Sequence, residues 1–180
     1  MSENDVKIYK SKNELDQSSA EISRTLDEVM THRINGNIDK ARKLGEILAT
    51  ITPKGDDGII VNLKDHLAPR YFTSDILYQM KVLLVFAAET VLQSEIRDEI
   101  LATTAINAMH DKIREDMPVF FRNISSSAAF TFYCLALKKR GDVTENIGEA
   151  FAMMCDVQKN TENFVNAGKV VWEKAVKGLK

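Results

Sequence analysis

Three histidines are available for metal or acid–base chemistry, and one of them is directly followed by an acid. His110-Asp111 is that pair, with His32 and His66 upstream and Asp156 downstream. A distant His, a His-Asp pair and a later Asp are donor types that hold a divalent metal and let it activate water. Neighbouring residues of a helix point about 100° apart, so only the tertiary fold can bring such donors together. The flanks of the pair, Ala108-Met109 and Lys112-Ile113-Arg114-Glu115, have the pattern of an ordinary amphipathic helix with its polar face there. A solvated helix face is the expected role, and neither a metal nor a cofactor is assigned.

In residue types alone, His66, His110-Asp111 and Asp156 are similar to the ligand set of HD-type metal-dependent phosphohydrolases, one of three function classes carried forward. Other catalytic arrangements are missing from the sequence. Paired Glu-x-x-His segments for a di-metal bundle do not occur, and Glu28 and His32 are spaced for a surface contact one turn apart. The one glycine-rich stretch, Gly55-Asp56-Asp57-Gly58, carries two acids that would repel phosphate. Gly-x-Ser-x-Gly, Cys-x-x-Cys and His-Glu-x-x-His are all absent.

Polar residues set within apolar helices are better candidates for a binding site. Glu89 is the only acid between Asp75 and Glu95. Arg122 follows Phe120-Phe121, and Ser125-Ser126-Ser127-Ala128-Ala129 makes a band of small residues flanked by Phe121, Phe130 and Tyr133. Such a band lets a neighbouring helix approach closely or leaves a groove for a ligand. Glu89, Arg122 and Tyr133 are therefore the ligand-pocket candidates.

Periodicity predicts the elements that position these residues. The expected fold is all-α, a single-domain bundle of six or seven helices after a flexible N-terminus over residues 1–10. Ser11 with Glu14 forms a capping box, and a helix then runs to Asn35. Gly36 stops it and Asn37 caps the next, whose stripe is Ile38, Ala41, Leu44, Leu48 and Ile51, so the two should form an αα-hairpin. Residues 52–72 read as an irregular connection, with Ile59-Ile60-Val61 extended and a helical turn within 62–67. Two helices, about 74–93 and 118–140, are apolar on more than one side and should be central and buried. Between them a helix over about 95–115 buries Ile96, Ile100, Ala102, Ile106, Met109 and Ile113. Asp142 with Glu145 starts the sixth helix, and Asn160 or Thr161 caps the seventh. Gly36-Asn37 and Gly141-Asp142 echo each other, as do Leu44-Gly45-Glu46 and Ile147-Gly148-Glu149, without the fixed period of a repeat protein. Cys134 and Cys155 sit in apolar surroundings and should be buried thiols.

The 24 basic and 26 acidic residues leave a formal net charge of −2, which disfavours nucleic acid as a partner. No apolar run at the N-terminus has the form of a signal peptide, and the longest uncharged run, 123–137, is too short and polar to span a bilayer. The expected location is the cytoplasm, with no membrane partner. In the absence of catalytic signals, the leading expectation is an interaction or regulatory module acting through helix surfaces, with a protein partner or a second copy as its target. A small-molecule-binding domain using the groove near the fifth predicted helix is the second class.

Overall fold

In a computed structural model of the chain, the described residues are 12–51, 63, 66–156 and 161–179. Among them every regular element is helical and no strand occurs. The elements are α1 (Lys12–Ile34), α2 (Asn37–Ile51), a 3-10 turn at Pro69–Tyr71, α3 (Ser74–Glu95), α4 (Glu99–Asp116), α5 (Pro118–Ser126), α6 (Ala129–Lys138), α7 (Val143–Met154) and α8 (Thr161–Leu179). The expected Ser11 cap, the loose residues 1–10, the Ile59-Ile60-Val61 stretch and Asn160 lie outside the described residues.

Among the described residues eight α-helices are delimited where six or seven were expected, and the helix foreseen over 118–140 is two. The serine band causes the break. The Ser125 hydroxyl donates to the Phe121 carbonyl at 2.9 Å, and the Ser127 hydroxyl accepts from the Ala129 N–H at 3.2 Å. Ser127 itself is extended, with φ −88° and ψ 148°. Serine hydroxyls compete locally for backbone groups and so end a helix that apolar periodicity alone would continue.

The other boundaries follow local capping chemistry. The Thr73 hydroxyl accepts from the Ile76 N–H at the start of α3. Asp98 accepts from the Leu101 N–H at 3.0 Å, so α4 begins at Glu99 and not near residue 95. Pro118 opens α5 at the position where its missing N–H costs nothing. Asp142 accepts from the Glu145 N–H at 2.9 Å, as the sequence predicts. Gly36 and Gly141 stop the preceding helices with positive φ, 67° and 113°.

By their contacts the helices fall into two units. One is α1 with the first residues of α2, through Asp39, and the other begins at Lys40. Along α1, Leu26, Met30 and Ile34 recur every four residues and stay 59, 53 and 79% exposed. The larger unit holds two buried clusters. One joins α3 to α6, α7 and α8 through Met80, Leu83, Phe86, Tyr133, Phe151 and Trp172, and includes Leu63 and Leu67, which precede α3. The Leu67 N–H donates to the Leu63 carbonyl at 2.8 Å. The second cluster joins α3 to α2 and α4 through Val85, Ala88, Leu48, Ala105, Met109 and Ile113. Eleven of the 22 residues of α3 are buried, and all but Val91 belong to one cluster or the other.

α6 is less enclosed than its composition predicts. Ala129, Tyr133 and Ala136, spaced four and three apart, form its buried face. Cys134 and Leu135 fall on the other side, which corrects the expectation of a buried Cys134. Cys155 just past α7 is half-buried, and burial pushes its thiol up to about 12.

Candidate functional site

α3 is almost wholly apolar over its middle turns, and its exit from the core is marked by Glu89. A three-residue link, 96–98, returns the chain along α4, which carries His110. Glu89 and Val85 lie one turn apart on α3, and His110 and Ile113 nearly so on α4. These two faces meet. The Glu89 carboxylate and the His110 Nε2 are 2.6 Å apart, with side chains 16 and 32% exposed. A bond this short between an acid and an imidazole is charge-assisted and fixes both rotamers.

A cavity of about 210 Å³ opens beside this couple, between α3, α4 and the broken helix pair α5–α6. Phe121, Ile124 and Ser125, spaced for one face of α5, form one wall. Ser127 in the break and Phe130 at the start of α6 complete it, opposite Val85 and Ile113. Phe121 also packs its ring edge-on to His110, with centroids 6.0 Å apart. Glu89 and His110 are the only ionisable residues of the lining, and the remainder is apolar except for the two serines. Both serine hydroxyls already bond backbone groups. A small molecule in this space meets aromatic and branched aliphatic walls, with one carboxylate–imidazole couple to orient it.

The candidates from sequence are placed differently from one another. Glu89 lines the cavity and Arg122, on the same short helix as Phe121, is exposed and does not line it. Tyr133 is fully buried in the other cluster, its ring 5.2 Å from that of Phe86. The Tyr133 hydroxyl has no hydrogen-bond partner among the described residues, and burial, with Cys155 nearby, pushes its ionisation far up. His110 is the site residue assigned elsewhere by sequence, as a candidate metal donor. His66 and Asp156 are exposed, and Asp111 turns outward to Arg114 at 3.0 Å. Among the described residues no group of three His, Cys, Asp or Glu side chains is close enough to hold a metal ion. Glu28 pairs with Arg24 at 3.0 Å on the exposed side of α1. No described helix is long and apolar enough to cross a membrane.

No protein-family model matches the chain, and no curated protein or solved structure is significantly similar to it.

Proposed function

We propose that the chain is a small-molecule-binding helical domain whose site is the cavity between α3, α4, α5 and α6. The observation that carries this reading is the Glu89–His110 couple, which stands alone as the ionisable element in a cavity otherwise lined by apolar residues and two serines. Apolar walls with a few convergent polar groups are the usual composition of a ligand site. The break at Ser127 supports the reading as well, since an unbroken helix would have carried its apolar side straight past this space. The test is a library of single-ring fragments followed by amide shifts in the full chain. Hits should move the amides of Val85, His110 and Ser127, and Ser125→Phe, which fills the cavity, should abolish those shifts. A library that moves none of these amides, or moves them equally in the Ser125→Phe variant, rules the reading out.

A second reading, an interaction or regulatory module acting through helix surfaces, draws on the exposed Leu26, Met30 and Ile34 of α1. Three large apolar residues in one stripe make a contiguous surface that water solvates poorly. Light scattering tests it. A mass that rises with concentration, and falls back in Leu26→Glu with Met30→Glu, supports this reading, while a chain that stays monomeric and captures no partner counts against it.

A further inference from the structure

We infer that the cavity's ligand is a small aryl-alkyl amine bound in its ammonium form, an inference that rests on reading the cavity as a ligand site. The argument is electrostatic first. With its carboxylate ionised, the Glu89–His110 couple carries a net charge of −1 when the imidazole is neutral and zero when it is protonated. In neither state does it attract an anion, and in one of them it attracts a cation. Glu89 uses one oxygen, Oε1, on His110, and neither side chain has another hydrogen-bond or ion-pair partner among the described residues. A second carboxylate oxygen is therefore left to accept from a ligand.

The surrounding charges do not reverse this. Arg114 places its guanidinium 4.9 Å from the centroid of the Phe121 ring, but Asp111 compensates it at 3.0 Å. Arg122 is exposed on the neighbouring turn and does not line the cavity. The serine hydroxyls are each bonded to the backbone, so the carboxylate is the strongest acceptor facing the space.

Size and shape give the rest of the ligand. An apolar cavity of about 150 Å³ holds a benzene molecule. The cavity here, about 210 Å³, takes one ring and a short chain. Phe121, Phe130, Ile113 and Ile124 supply flat and branched surfaces for that ring. An ammonium beside aromatic rings gains a further attraction to their faces.

Benzylamine, benzyl alcohol and benzoate separate the terms, because they share the ring and differ in charge. Each is titrated into the full chain and followed by the amide shifts of Val85, His110 and Ser127. Benzylamine should bind at least about tenfold more tightly than benzyl alcohol, as a charged hydrogen bond at a half-buried acceptor does. Benzoate should bind more weakly than either. Glu89→Gln should bring benzylamine down to the level of benzyl alcohol and leave benzyl alcohol unchanged, which also shows that the cavity is intact. If that variant does not fold, His110→Gln keeps the carboxylate, and the preference for benzylamine must persist in it. Benzoate matching benzylamine, or an amine preference that survives Glu89→Gln or is lost in His110→Gln, overturns the ammonium assignment and leaves the cavity reading standing on the alcohol. Silence of the cavity amides to all three ligands overturns both.

Discussion

Glu89 shows how far single residues can be read. A lone acid on an apolar helix must keep a polar neighbour or reach water, and the sequence makes that isolation visible. Its partner His110 is 21 residues away, and nothing local links them; the return of α4 along α3 does. In sequence Arg122 and Tyr133 flank the small-residue band of what reads as one helix over 118–140, which makes them candidates beside Glu89. The break at Ser127 resets the helical phase, so Tyr133 turns into the other cluster while Phe121 and Phe130 keep to the cavity. The same reset exposes Cys134. The two thiols should therefore differ in reactivity. With a thiol-specific reagent at pH 8, Cys134 should react as an accessible thiol, whereas Cys155, pushed up to about 12 by burial, should react far more slowly. Cys134→Ser should remove the fast phase; two equal phases in the native protein would contradict the burial of Cys155.

Several element ends were legible from a cap or a stop, though the Asp98 cap of α4 was not among them. Asp142, Pro118 and the glycines at 36 and 141 all act as their chemistry predicts. The echo between Leu44-Gly45-Glu46 and Ile147-Gly148-Glu149 has a physical meaning that sequence alone leaves open. Both glycines mark a close crossing of helices. A Cβ on Gly45 would run into the backbone carbonyl of Ala105 on α4, and one on Gly148 would come within 2.5 Å of the Val165 carbonyl on α8. Backbone at such a crossing cannot move aside without shifting a whole helix. In an open helix, Gly→Ala gains about 1 kcal/mol. Here Gly45→Ala and Gly148→Ala should each lose about 2 kcal/mol or more, the cost of overpacking a tight contact. Denaturant midpoints measure this, and a midpoint equal to or above that of the parent chain in either variant would show that the crossing tolerates a methyl group. The serine break was harder to foresee. Small residues within an apolar run fit close packing as well as a helix end, and only the Ser125 and Ser127 hydrogen bonds decide between them.

At the scale of the whole molecule, burial of ionisable groups beside one another sets how stability responds to base. The larger core keeps Tyr133 and Cys155 protonated, Cys155 up to about 12 against an ordinary 9.0, and Tyr133 well above its ordinary 10.0. In the unfolded chain both titrate at their ordinary values. Between pH 9 and 12 the unfolded state thus binds fewer protons than the folded state, and the slope of unfolding free energy against pH is negative. Stability conferred by these groups is complete below pH 9 and is lost as pH rises above it. Lys112 and Lys169, raised by their hydrogen bonds to Glu115 and Glu145, act in the same direction. Their loss sets in mainly above the ordinary lysine value of 10.5, and that of Tyr133 and Tyr78, raised by burial, mainly above 10.0, so the thiol dominates the window from 9 to 10. Urea midpoints measured across that window should fall with pH in the parent chain and stay nearly level in Cys155→Ala. Tyr133→Phe should lessen the fall only slightly between 9 and 10 and flatten it mainly above 10. A Cys155→Ala chain that loses stability as steeply as the parent between pH 9 and 10 would place the alkaline sensitivity outside this core, in groups that the fold leaves accessible.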